Sequence, residues 1–176
     1  MDNIVRGCNW YFAQLNVWRV LDEVTLPELT FQTEDFTPGG HMMGVAWPED
    51  MQPLKATIKL KSDDPRIRGL CGKQPGDYVT ATYYENLRSF RTGANKGRII
   101  TMKGLLTSVK ADVRKGVKSS MTEYEFSSIV YYEDIVDAVV VHRFDQFMGP
   151  GATVIGGAAL FADMAANLAI NGGTAL

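Results

Sequence analysis

His41 and His142 are the only imidazoles in the chain, so acid–base, nucleophilic or metal chemistry near neutral pH would have to be built around one of them. Neither has a local partner pattern. His41 lies in the Gly/Met-rich run 39–44 and His142 near the end of a β-prone run, so both read as surface or packing residues. The sequence contains no G-x-S-x-G elbow and no H-E-x-x-H pair. Residues 151–157, GATVIGG, have the glycines of a phosphate-binding loop without the Lys and Ser/Thr that reach phosphate and magnesium, and read as a turn opening a helix. Cys8 and Cys71 are too few for a disulfide framework and too far apart for a zinc knuckle, so they are expected to be reduced structural thiols. No catalytic residue, metal site or cofactor is expected, and the chain does not read as an enzyme.

Charge leads the same way. With 18 Lys plus Arg against 20 Asp plus Glu, the formal charge of −2 gives no global pull toward phosphates, and tight nucleic-acid binding is not expected. Two basic clusters do stand out: Arg88, Arg91, Lys96 and Arg98 around a Gly-rich loop, and Lys110, Arg114, Lys115 and Lys118 flanking a turn. Either could touch DNA or an acidic partner, against the plainer readings of solvated hairpin tips or inter-subunit salt bridges.

The elements that would position these residues are mostly strands. At 54–61, Leu54, Ala56, Ile58 and Leu60 alternate with Lys55, Thr57, Lys59 and Lys61, giving one buried and one wet face. Runs 78–87 and 121–132 have the same character, the latter placing Tyr124, Phe126, Ser128, Val130 and Tyr132 on one side. Weaker strand signals lie at 10–17, 19–26, 98–109 and 138–142, with turns at 93–95 and 115–116. A short helix is predicted from an Asp63 cap through Pro65 to Gly72. A C-terminal helix is predicted over 154–170, where Val154, Ala158, Phe161, Ala165 and Leu168 recur at helical spacing before Asn171-Gly172-Gly173. Asp163, Asn167 and Gly156-Gly157 interrupt that run, so it is expected to dock on its own subunit or a neighbour and not to insert in a membrane. At 176 residues the chain is expected to form one domain, 1–176, of mainly β (α+β) class: two packed antiparallel sheets forming a partly closed barrel, with a short flanking helix and a C-terminal helix. The N-terminus lacks the order of a signal peptide, so the protein is expected to start life in a cytosol.

The stretch 23–44, EVTLPELTFQTEDFTPGGHMMG, carries a recognisable pattern: Val24, Thr25, Leu26, Pro27 and Leu29, then Thr33, Glu34 and Phe36, then Gly39 and Gly40. It resembles the opening motif of the major tail tube protein of contractile-tailed phages and R-type tailocins. The resemblance extends over most of 10–145 through the strand and helix of 54–72, Lys103-Gly104-Leu105-Leu106 and the tyrosine pair Tyr131-Tyr132, and departs at 47–53, where the family is richer in glycine. It implies homohexameric rings that stack through a long loop into a rigid conduit inside a contractile sheath, serving DNA passage and envelope penetration. The implied partners are further copies of the chain, the tail sheath protein, the tape-measure protein, the baseplate tube initiator and the tail terminator, with DNA passing through without specific binding. The implied location is the virion tail tube, assembled in the bacterial host cytoplasm. The alternative is a secreted-tube subunit of a type VI secretion apparatus, which by resemblance should lack this opening motif.

The loop implied by the resemblance spans 28–53. Loops beyond about 15 residues usually carry function or disorder. Pro38, Pro48 and Pro53 stiffen this one, Gly39, Gly40 and Gly44 permit tight turns, and Phe36, Met42, Met43 and Trp47 are more apolar surface than one small domain easily covers. Met42 and Met43 could fill a gap in their own domain or a groove in a neighbour's, and the resemblance favours the neighbour. Phe36, Gly39, Gly40, Met42, Met43 and Trp47 are therefore the expected subunit interface, and Cys8 and Cys71 are candidates for an inter-subunit disulfide outside the reducing cytosol.

Overall fold

A computed structural model describes residues 3–114, 116 and 120–170. Strands dominate, as the alternations require. In chain order they are β1 (Asn3–Phe12), β2 (Leu15–Asn16), β3 (Leu21–Thr25), β4 (Phe31–Phe36), β5 (Val45–Met51), β6 (Ala56–Leu60), β7 (Val79–Ser89), β8 (Asn95–Ala111), β9 (Thr122–Val136), β10 (Val139–Asp145), β11 (Val154–Ile155) and β12 (Ala158–Ala159). Helix α1 is Pro65–Arg68, α2 is Ala162–Asn167, and a 3₁₀ turn occupies Pro150–Ala152.

The named strands form two antiparallel sheets. Ten lie in one, ordered β12-β11-β10-β9-β8-β7-β1-β2, with β3 and β6 branching from β9; β4 and β5 pair only with each other. The expectation of a mainly β chain with two sheets holds, but the sheets are not two packed layers. The core forms where the large sheet curls on itself: Phe12 on β1 meets Tyr124 on β9 with ring centroids 6.0 Å apart, although β7 and β8 separate those strands in the sheet. Trp10, Phe12, Ile58, Leu60, Ile100, Met102, Tyr124 and Phe126 are fully buried in that curl. No pairing among the described residues closes it into a barrel.

The curl depends on β9, which serves three partners. Its first residues, Thr122–Phe126, pair with β6, its last, from Tyr131 on, pair with β10, and β8 runs along both halves. The two halves are offset by an irregularity at which Ser128 takes φ 50 and points outward, so Tyr124, Phe126 and Tyr132 share the core face but Ser128 leaves it. Gly104 lies against this break. A Cβ there would sit 2.8 Å from the Ser127 carbonyl oxygen and 3.1 Å from the Phe126 ring, so only glycine lets the two strands cross this closely, and a methyl group would cost about 1–3 kcal/mol.

Both predicted helices require correction. With Pro65 at the first helical position the cap is the residue just before it, so Asp64, not Asp63, accepts the Arg66 backbone N–H at 2.9 Å. The helix lasts four residues and ends at Gly69, because Gly72 at φ +87 already turns the chain toward the bridge between Cys71 and Leu106. The 154–170 helix is replaced by a two-residue hairpin and a short helix. Gly156 and Gly157, at φ +62 and +82, supply the two positive φ angles of a primed hairpin turn, and β11 then adds to β10 through His142↔Ile155 and Arg143↔Val154. A helix through both glycines would lose about 2 kcal/mol relative to alanine, whereas the hairpin satisfies an open strand edge. Residues 171–173, the expected helix stop, lie outside the described residues.

Candidate functional site

The expected interface residues are brought together, on a hairpin where a loop was expected. Leu26, Leu29, Met51 and Leu54 anchor its base against the core, and the Gln52 N–H donates to the Thr30 carbonyl at 2.8 Å. Beyond that base, β4 and β5 form a ribbon projecting from the domain. The register Phe36↔Val45 and Glu34↔Trp47 places an aromatic, a valine, a carboxylate and an indole on one face. Nothing among the described residues covers that face: Phe36, Val45 and Trp47 are more than half exposed, and at the tip Met42 and Met43 are more exposed still. Gly40 takes φ +85 in the turn, as the tip requires, and Gly39 faces open space. Gly44 makes the tightest approach, since a Cβ there would lie 2.8 Å from Thr37 Oγ1. Phe31 and Val45 belong to the same exposed set, and the alternation that would have flagged them is broken by the strand irregularity between Phe31 and Thr33.

The ribbon has a charge of one sign. Residues 28–53 contain Glu28, Glu34, Asp35, Glu49 and Asp50 and no Lys or Arg, so no carboxylate can be neutralised from within the segment. Pro48 sits inside β5, which is tolerated because an edge strand does not need that N–H.

A second exposed surface lies where β7 turns into β8. Phe90 is 83% exposed at its tip, between Arg88 and Arg91. Ile4 and Val5, paired with Arg88 and Leu87 across the β1–β7 ladder, extend the apolar part. This surface combines cations with an aromatic; the basic residues are legible in sequence, and Phe90 is the signal that reading them alone overlooks.

Arg98 is not the solvated tip residue its spacing implies. It lies on the core face of the stem, where its Nε and Nη2 donate to both carboxylate oxygens of Asp134 at 2.9 and 2.7 Å, and its Nη1 is 3.8 Å from Glu85. Glu85 and Asp134 are both nearly inaccessible, and the Tyr83 hydroxyl donates to Glu85 at 2.8 Å. The carboxylate of Asp134 raises the Arg98 pKa further, while burial, and then Glu85, pushes the Tyr83 hydroxyl above its usual value. Burial also pushes Tyr132 up to about 12. This network joins β7, β8 and β9 beyond the end of the apolar core and fixes the stem from which the basic tip projects. Of the other cluster, Arg114 pairs with Asp63, which also receives Arg68 at 3.2 Å; Lys115 and Lys118 lie outside the described residues.

The residues first considered for chemistry are not brought together. His41 is exposed in the ribbon tip, and His142 stacks on Phe144 in β10 with ring centroids 6.2 Å apart. Cys8 is exposed on β1, Cys71 is half-buried after α1, and both are free thiols. Among the described residues no cluster of His, Cys, Asp or Glu could hold a metal ion, and no helix is long and apolar enough to cross a membrane.

The family model described as phage tail tube protein FII matches residues 2–168. The chain is also similar to a chain of the PVC sheath–tube complex, an extracellular contractile injection system in its extended state, with a TM-score of 0.50 and 11% identity over 75% of this chain and 88% of that one. A chain of the PVC sheath/tube terminator in its extended state gives a TM-score of 0.51 and 11% identity over 73% of this chain and 91% of that one. No curated protein matches. At this identity the two structures speak to the fold alone, whereas the family match spans nearly the whole chain.

The buried ion network yields a stability prediction. Asp134→Ala leaves the half-buried Arg98 without its bidentate acceptor, and urea unfolding should show a loss of about 2 kcal/mol. An unchanged midpoint would mean that Arg98 turns to solvent at no cost.

Proposed function

The chain belongs to the phage tail tube protein FII family, and from that premise we propose that its working form is a stack of homohexameric rings. It is a structural subunit of a tail tube, a virion component, and not an enzyme. In the proposed assembly six copies complete between them the curvature that one copy leaves open, and their strands line one large barrel. The free edges support this reading. Among the described residues most of β1 pairs only with β7, β3 pairs only with β6, and both outer edges of the ribbon are bare. Exposed edges of this extent favour addition of a neighbour, and a closed ring removes them.

The observation that carries the proposal is the ribbon. A lone two-stranded hairpin is marginal in water, and this one presents Phe36, Met42, Met43, Val45 and Trp47 to solvent. Those side chains are covered when the ribbon reaches a copy in the adjacent ring. Tail sheath protein around the tube, tape-measure protein within it, the baseplate initiator at one end and the terminator at the other complete the proposed particle, which is assembled in the bacterial host cytoplasm. The type VI reading is set aside because the matching family is the phage one.

The wet face of the β3-β6-β9 branch fits a conduit through which DNA slides. Its lysines are already engaged, Lys59 with Glu23 at 2.8 Å, Lys61 with Asp22 at 2.7 Å and Lys55 with Glu125 at 3.6 Å, so few cations remain to grip phosphates. An inter-subunit disulfide through Cys8 or Cys71 belongs to the same proposal, with non-reducing electrophoresis of mature particles as its check; monomer alone would remove it.

Replacing 36–47 by a Gly/Ser linker should leave a folded subunit, since every replaced residue is outside the core, yet one that no longer polymerises. Circular dichroism and negative-stain microscopy would read the two properties separately. Full-length tubes from this variant would show the ribbon to be dispensable.

A further inference from the structure

We propose that the acidic ribbon of one copy docks on the basic tip of the β7–β8 hairpin of a second copy. The proposal rests on the reading of the ribbon as the ring-stacking element and names the surface that receives it. A formal charge of −2 conceals a strong segregation. Residues 28–53 carry five acidic residues and no basic one, and residues 86–111 carry Arg88, Arg91, Lys96, Arg98, Lys103 and Lys110 and no acidic one. Two windows of equal length therefore have opposite and unmixed charge.

The apolar components match as well. The ribbon offers Phe36, Val45 and Trp47 beside Glu34 on one face. The tip offers Phe90 between Arg88 and Arg91, bordered by the exposed Ile4 and Val5. Guanidinium groups stack on indole and phenyl faces and form strong paired hydrogen bonds with carboxylates, so each side supplies what the other lacks. Among the described residues of one subunit the two surfaces do not cover each other, since Phe36, Val45 and Trp47 on one and Phe90 and Val5 on the other are all more than half exposed. Arg88 and Arg91 flank Phe90 in the sequence and both are exposed, whereas Arg98 and Lys96 lie further down the stem, Arg98 on Asp134 and Lys96 3.3 Å from Asp137.

A contact between two different patches has a geometric consequence. It is heterologous, so each docking leaves one free ribbon and one free tip, and growth continues in one direction in place of closing into a dimer. DNA would match the positive charge of the tip but offers nothing equivalent to the ribbon for Phe90, Ile4 and Val5.

The test uses charge reversal in the full chain. Glu34→Lys with Asp35→Lys, and separately Arg88→Glu with Arg91→Glu, put like charges across the contact, where repulsion is worth several kcal/mol, so each variant should lose about tenfold or more of its sedimentable tube. Combining all four changes in one chain should recover most of the yield. All four positions are exposed, and unchanged circular dichroism and urea midpoints confirm folding. If a reversed pair fails to fold, Glu34→Gln with Asp35→Asn replaces it, and tube yield should then lose its dependence on salt. Parent-like assembly by either reversed variant, or no recovery in the fourfold variant, would overturn the pairing. Loss of duplex DNA binding without loss of assembly in the arginine variant would assign the tip to DNA and overturn it too. The Gly/Ser linker variant separates the two levels: if it still stacks, the ribbon reading itself fails, whereas if it does not stack but the reversals are silent, only this pairing fails.

Discussion

Strand β9 has two edges and three partners, and the shape of the subunit follows from how it divides them. One half of one edge goes to β6, the other half to β10, and β8 takes the opposite edge throughout. The division requires an irregularity in mid-strand, the irregularity brings the β9 backbone onto β8, and the approach admits only Gly104. The sheet therefore bends there in place of extending flat. The bend lets Phe12 reach Tyr124 across two intervening strands and encloses the core. A core made by bending one sheet leaves edges at both ends, which a sheet closed into a barrel would not.

Those edges are managed unequally. On the β10 side the Gly156-Gly157 hairpin ends the sheet in a two-residue strand, too short to serve as a template for a neighbour. On the other side β1 and β3 find no further partner among the described residues, and the ribbon projects with both edges bare of them. Beyond the apolar core the stem of β7, β8 and β9 is held by the buried carboxylates of Glu85 and Asp134 and the half-buried Arg98, which extend order to a basic tip well away from the packed interior. The subunit is thus rigid up to two protruding surfaces of opposite charge, a distribution suited to a building block and unsuited to enclosing a small substrate.

Much of this was legible in the residues. Period-two alternation located β6, β7 and the first half of β9 because their buried positions are large and uninterrupted. The exposure of Phe36, Met42, Met43 and Trp47 followed from finding too many apolar residues in a proline- and glycine-rich segment. The strands of the ribbon were not legible, because both its faces are wet and Pro48 interrupts the pattern. The first half of β1 was hidden by Asn3, Arg6, Gly7 and Asn9, which sit beyond the core. The helical spacing of Val154, Ala158, Phe161, Ala165 and Leu168 was real, yet two adjacent glycines beside an open strand edge outweighed it. Arg98 could not be assigned from its neighbours because Asp134, its partner, lies 36 residues away.

The central claim is that the ribbon formed by Phe31–Phe36 and Val45–Met51 is completed by another copy of the chain. Hydrogen exchange of its backbone amides, compared between free subunits and assembled tubes, addresses this most directly. In the free subunit these amides should exchange nearly as fast as an open loop, because a solvent-exposed two-stranded pairing opens readily. In tubes they should become protected to the level of β6 and β9. Equal exchange in both states, with protection appearing elsewhere in the chain, would contradict the account.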